Sequence, residues 1–266
     1  MCIRDRSVEY VIRENGKEVD HFSQPAFLVE LLGHTWLITA GHVIQDVLSR
    51  AERGQSVESY LVDWLDPEPT LPGGVVPFDV LTRDGIGMGP RPGERLKDSV
   101  GTDYAAYLLD ENTRQLLTTR TDPGLRVCPV GVVEDFEHGF IVGTVNEGQE
   151  GCVSIVLRPL EFLPDDDPDT LKVLEMQENH ARGLVKAKVA DDWDLTIKGM
   201  SGGPVFGARH LPNGTSEIAV VGVQSSWAPR LNVILAHRIA ADDTSIPTVE
   251  SLLRTTIKAM HAAAAE

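Results

Sequence analysis

An all-β protein, a sandwich or a barrel of many short strands, is what the sequence predicts, on two observations. Short runs rich in Val, Ile, Leu and Phe recur along the chain, and clusters of Gly, Pro and Asp separate them. The runs are Ala26 to Leu32, Trp36 to Thr39, Tyr104 to Leu109, Val127 to Val133, Phe140 to Val145, Val153 to Leu157, Gly183 to Val189, Ala219 to Val223 and Val233 to Ala236. Helical periodicity is sparse, which is the second observation. One short helical turn is expected after Ala40, through Val43, Ile44, Val47 and Leu48. The clearest helix follows Ser245-Ile246-Pro247, where Pro suits a helix start and Val249, Leu252, Leu253, Ile257 and Met260 share one face. Asp66 to Gly101 and Pro164 to Arg182 read as long loops, and the polar stretch Glu111 to Gly124 reads as a connection between two halves of similar length. The run Pro164-Asp165-Asp166-Asp167-Pro168-Asp169 reads as a solvated acidic turn, with a substrate-steering or metal-binding role as the sharper alternative. No repeat at fixed period is visible, and the only low-complexity tract is Ala262 to Ala265.

Composition narrows the function classes. The 266 residues carry 24 Lys and Arg against 40 Asp and Glu, a formal net charge of −16. Such an excess repels phosphate backbones and anionic lipid, so neither a nucleic-acid nor a membrane partner is expected. No apolar run approaches the ~18–20 residues of a membrane-spanning helix. The three cysteines, Cys2, Cys128 and Cys152, are odd in number and lack C-x-x-C spacing, which argues against a disulfide framework or a zinc site and for a reducing, cytoplasmic setting. Met1 to Ser7 has no apolar core and is not a signal peptide as it stands. It resembles an appended scar, which leaves open a lost leader or fused domain. The histidines His21, His34, His138, His180, His210, His237 and His261 show no metal-ligand spacing and read as surface or packing residues. Gly85-Ile86-Gly87-Met88-Gly89 is a glycine coincidence in a Pro-rich loop, so no cofactor is expected.

Three strings carry chemistry. In Ile197-Lys198-Gly199-Met200-Ser201-Gly202-Gly203-Pro204-Val205-Phe206, three glycines crowd one serine; they permit a tight turn, expose the hydroxyl and leave backbone N–H groups free to face a carbonyl oxygen. Alone, such a turn is more often structural. In His34-Thr35-Trp36-Leu37-Ile38-Thr39-Ala40-Gly41-His42-Val43-Ile44, an apolar strand ends in small residues and then a histidine. A lone histidine there would be a packed residue, but with Ser201 it supplies the base that a weakly acidic hydroxyl needs. A third member should be a carboxylate on a buried strand, able to fix the imidazole tautomer. Asp103, at the mouth of the apolar strand Tyr104 to Leu109, fits; Asp98 in a polar loop and Asp110 at the strand's far end are weaker rivals. Taken singly, Asp103 could equally be a strand-edge turn residue.

Thr39-Ala40-Gly41-His42, Asp103-Tyr104-Ala105 and Gly199-Met200-Ser201-Gly202-Gly203-Pro204, in that order, resemble the chymotrypsin/trypsin-like serine peptidase family over about Ala26 to Ile239. The resemblance implies two antiparallel six-stranded β-barrels around a central cleft, followed by a C-terminal α-helix, with residues 8–118 carrying His42 and Asp103 and residues 119–266 carrying Ser201. It implies His42 as general base, Asp103 as its orienting carboxylate, Ser201 as nucleophile, and the N–H groups of Gly199 and Ser201 as oxyanion hole. Ser225 matches the family serine that supports the carboxylate, and its strand would take an extended peptide by strand addition. The implied function is a cofactor-independent serine endopeptidase acting on protein or peptide through an acyl-enzyme; the alternatives are an inactive homologue that binds peptides and an esterase-like hydrolase.

Departures from the family pattern carry expectations of their own. Val43 stands where secreted animal members have a half-cystine, and their pocket cysteines are absent too. Met200 stands where relatives carry the aspartate that pairs with a new N-terminus on activation, so that switch is expected to be missing. Leu195 occupies the pocket position that is acidic in Arg- and Lys-cleaving relatives. Small or medium apolar P1 residues are therefore expected, unless Asp191, Asp192 or Asp194 turns inward. Trp227 falls at the pocket wall, where it would narrow the site or pack in the core.

Overall fold

The computed structural model describes residues 6–63, 75–81, 85–86, 103–121, 127–146, 153–164, 167, 183–189, 199–228 and 231–263. Within them the chain is mostly β. The first half pairs β1 (Arg6–Glu14), β2 (Lys17–Leu31), β3 (His34–Thr39), β4 (Ser56–Asp63), β5 (Val75–Pro77), β6 (Gly85–Ile86) and β7 (Ala105–Leu108). They form a seven-stranded sheet in the order β5-β4-β1-β2-β3-β7-β6. A six-stranded barrel is the expectation here; the described residues give seven strands, with the short β5 and β6 at the two ends. The second half is a closed six-stranded barrel, as expected, in the order β10-β13-β12-β11-β8-β9. Its strands are β8 (His138–Asn146), β9 (Val153–Phe162), β10 (Leu184–Val189), β11 (Pro204–His210), β12 (Ser216–Ala228) and β13 (Val233–Arg238).

Local chemistry explains the connections. β1 turns into β2 through Asn15 and Gly16, both with positive φ (50° and 76°), the two-residue geometry whose twist matches a hairpin. Two stretches behave differently from expectation. Val127 to Val133 forms only isolated bridges, Val29 with Cys128 and Val130 with Val220, and ends in a 3-10 turn at Val133–Asp135. The polar stretch after Asp110 is a helix, α2 (Glu111–Thr121), and not a plain connection. Asp110 starts it by accepting the Thr113 N–H on its side chain at 2.7 Å, which satisfies one of the first-turn amides. The Asp110 carboxylate is thus engaged at the start of α2, and the carboxylate that meets His42 is Asp103.

Both expected helices form: α1 (Gly41–Glu52) and, at the C-terminus, α3 (Val249–Ala263). α3 begins with a reciprocal cap, Ser251 N–H to Thr248 Oγ1 at 3.1 Å and Thr248 N–H to Ser251 Oγ at 3.0 Å. Its buried Val249 and Leu253 enter a cluster that also takes Phe27, Trp36 and Ile38 from the first half and Val142, Phe206 and Val223 from the second. This cluster is the seam between the halves. Each half has its own core besides, around Tyr10, Leu37 and Tyr107 in the sheet and around Ile141, Val205 and Ile234 in the barrel.

Candidate active site

His42 is held by the first turn of α1, immediately beyond β3. β3 is buried from Thr35 to Thr39, so the ring leaves a rigid, packed element. Asp103 lies just before β7, which pairs with β3 with Thr39 opposite Ala105. Neighbouring strands thus deliver the acid and the base to the same end of the sheet. The Asp103 carboxylate is 3 % exposed and the His42 side chain 36 %, so the pair has a dry side and a wet side. Nδ1 of His42 lies 2.9 Å from Oδ2 and 3.1 Å from Oδ1 of Asp103. Oδ1 also accepts the backbone N–H of His42 at 2.7 Å. A buried carboxylate demands such partners, and here it takes a first-turn amide of α1 together with the ring. Nδ1–H must then be the donor, which leaves the Nε2 lone pair facing the accessible side.

Ser201 sits at a corner of the second half. Gly203 N–H bonds the Met200 carbonyl at 3.0 Å, which closes a four-residue turn with Ser201 and Gly202 at its centre. Gly202 has φ +88°, the backbone region that the third position of this turn needs. Gly202 N–H donates to the Gln224 carbonyl at 2.7 Å and Gln224 N–H to the Gly203 carbonyl at 2.9 Å, tying the corner to β12. On the other side the corner abuts the first half. A Cβ on Gly202 would lie 2.6 Å from the Pro25 carbonyl oxygen, 2.6 Å from Thr39 Oγ1 and 2.7 Å from the Ala40 nitrogen. Ala40 is the residue before α1, so the serine corner rests against the segment that presents His42. The Ser201 hydroxyl is half-buried and makes no hydrogen bond among the described residues. The ring therefore reaches Asp103 but has not closed on Ser201, an arrangement common where no substrate is bound.

The same corner prescribes a stability effect. Gly202→Ala would put a side chain at positive φ and drive it into backbone atoms that cannot yield. The expected loss is about 2–5 kcal/mol, the sum of left-handed strain and overpacking. Gly214→Ala, at φ +82° with nothing within 4 Å of the added atom, should lose only the strain. Denaturant unfolding of the two variants separates the terms, and equal losses would show that the contact of Gly202 with Pro25, Thr39 and Ala40 is not tight.

The remaining site residues divide. Gly199 has φ +94° and is exposed, and no described group takes the N–H of Gly199 or of Ser201. Met200 is 0 % exposed in the barrel core and packs over Gly143. Apolar burial thus anchors the turn that carries Ser201. Trp227 packs against the barrel core, with Ile234 opposite it on β13. Leu195, Asp98, Asp191, Asp192 and Asp194 lie outside the described residues, as does nearly all of the acidic Pro164 to Arg182 loop.

Ser225 departs from its expected role. It sits where the β12–β13 register shifts, between Gln224 and Ser226, and its hydroxyl donates to the Leu235 carbonyl at 3.1 Å, not to Asp103. The second-half group that does touch Asp103 is His237, whose Nε2 accepts the Asp103 N–H at 2.8 Å. Sequence reasoning placed His237 among surface and packing histidines. It is 6 % exposed on β13, and the only sequence signal was the apolar run Val233 to Ala236 that ends one residue before it. No group of three or more metal-ligating side chains occurs among the described residues, and no described helix is long and apolar enough to cross a membrane.

No protein-family model and no curated protein matches the chain. Solved structures do. The structure of GrC is 14% identical, covering 97% of this chain and 94% of its own, with a TM-score of 0.54. A Glu endopeptidase is 15% identical over 89% of this chain and 85% of its own, with a TM-score of 0.48. A catalytically inactive tobacco etch virus protease in complex with substrate is 11% identical over 89% of this chain and 78% of its own, with a TM-score of 0.46. At such identities the likeness is one of fold, and the fold is that of a trypsin-like peptidase.

Proposed function

We propose that this chain, built on a trypsin-like peptidase fold, is a serine endopeptidase that cleaves peptide bonds through an acyl-enzyme. The observation that carries the reading is the His42–Asp103 pair: a buried carboxylate bonded to both ring and backbone of a histidine that follows Ala40, the residue against which the serine corner packs. In this reading Nε2 takes the Ser201 proton as Oγ attacks the substrate carbonyl, and the imidazolium that forms is stabilised by Asp103. The N–H groups of Gly199 and Ser201 receive the oxyanion. As the tetrahedral intermediate collapses, His42 returns the proton to the leaving amine, and a water then repeats the cycle to release the acid. A fluorophosphonate probe tests the assignment. The wild-type protein should become labelled on Ser201 and Ser201→Ala should not. A folded wild type that resists the probe would favour an inactive peptide-binding homologue; labelling with ester turnover but no peptide turnover would favour an esterase.

The buried Met200 has a consequence for activation. A turn anchored by apolar packing needs no newly cut N-terminus to hold Gly199 and Ser201 in place. An oxyanion donor is worth about 3–4 kcal/mol, on the order of 10²–10³ in rate, so a turn awaiting cleavage would gain that much on processing. No such gain is expected. Peptidase activity before and after limited trypsin treatment checks it, and a large increase would contradict the role given to Met200.

A further inference from the structure

We infer that His237 is the positioning residue of Asp103, a neutral imidazole of the second half that fixes the main chain carrying the first half's carboxylate; this rests on the peptidase reading of His42, Asp103 and Ser201. The Asp103 N–H donates to His237 Nε2 at 2.8 Å, a contact between residues 134 apart in sequence. A nitrogen that accepts from an amide carries no proton, so His237 is the Nδ1–H tautomer and uncharged. Asp103 precedes β7, beyond the paired residues of the sheet, and its amide has no ladder partner. A buried amide without an acceptor is costly. His237 supplies that acceptor from a closed barrel, where it is held by register partners Leu184 on β10 and Val223 on β12. With the backbone of residue 103 held from behind, both carboxylate oxygens stay within reach of Nδ1 and the amide of His42.

The surroundings keep the ring neutral. The titratable groups facing it are Asp103 and Tyr104, whose ring centroid lies 5.3 Å away; Leu184 and Val223 carry no charge. Burial pushes the imidazole down to about 4, against the opposing pull of the Asp103 charge. Protonation would turn Nε2 into a donor facing a donor and break the link. Because the unfolded chain takes up that proton near 6.5, stability from this group is complete above 6.5 and is lost as pH falls toward about 4.

The experiment uses the full chain and two variants, His237→Leu, which removes the acceptor, and His237→Gln, whose side-chain oxygen replaces it. Nitrogen-edited NMR of the wild type should show His237 as neutral Nδ1–H at pH 6 and a strongly deshielded His42 Nδ1 proton bonded to Asp103. In His237→Leu that proton should weaken or vanish. Peptide turnover should drop on the order of 10–100-fold in kcat with KM little changed, since a small misplacement of the acid disturbs the chemistry and not binding. His237→Gln should recover most of both. A His237 that titrates near 6.5, or a Leu variant with its His42 proton and kcat intact, overturns the inference. If His237→Leu fails to fold, the wild-type tautomer and titration still decide it. If the wild type cleaves no peptide while the His42 proton still depends on His237, the peptidase reading falls and the positioning role stands.

Discussion

Ser201→Ala is expected to reduce kcat by about 10⁶-fold, because removing a nucleophile costs nearly as much as removing the whole triad. KM should change little. The residue that remains still has its backbone N–H, so the oxyanion turn and its ties to β12 are untouched. Residual activity of about 10³–10⁴ over the uncatalysed reaction is expected from binding and the oxyanion donors. The Ser201 hydroxyl has no described partner, so the variant should unfold at the same denaturant concentration as the wild type. Single-turnover kinetics on a peptide with a chromogenic leaving group measures the loss. Activity within tenfold of wild type would exclude Ser201 as the attacking group.

Asp103→Asn is expected to lower kcat by about 10⁴-fold near neutral pH, through the wrong tautomer. In the native pair Oδ1 accepts from the His42 backbone and Oδ2 faces Nδ1 at 2.9 Å. An asparagine keeps its oxygen for the backbone N–H and so turns its NH₂ donor toward Nδ1. The ring then has to accept at Nδ1 and carry its proton on Nε2, where no lone pair is left for the serine proton. The defect should be chemical and not structural, since the isosteric side chain still satisfies the first turn of α1. A kcat loss without a matching loss of stability is the signature. Should Asp103→Asn retain full activity, a residue outside the described set would have to be the orienting acid.

The conformations of the two strings were legible in the sequence because each is set by its own neighbours: the apolar run before His42 is β3 feeding α1, and the glycines around Ser201 make the Gly202 turn. The barrel strands were legible for a similar reason. The misses share a different physics. The Asn15-Gly16 pair and the Asp110 cap were local signals, but each was adjacent to polar residues that mask alternation, so the first hairpin and α2 went unread. Val127 to Val133 has the composition of a strand, yet pairing depends on a free neighbouring edge, and only single bridges form. Ser225 lies at a one-residue register shift between β12 and β13 and its hydroxyl meets the Leu235 carbonyl, while His237 on β13 meets the Asp103 N–H. Periodicity says which residues are buried. It does not say which buried residue faces which.

The proposed peptidase activity would make each copy a potential substrate of the others, and the seam cluster bears on that hazard. Cleavage of one copy by another needs a stretch of chain that has come away from the body, and the population of such open forms sets the rate of self-destruction. Phe27 and Trp36 from one half, Val142 and Phe206 from the other and Val249 and Leu253 of α3 share a single apolar cluster. Detaching either half uncovers the face of its neighbour, and detaching α3 uncovers both. Partial opening along this seam therefore exposes apolar surface that the closed molecule buries, and that cost lowers the population of open forms.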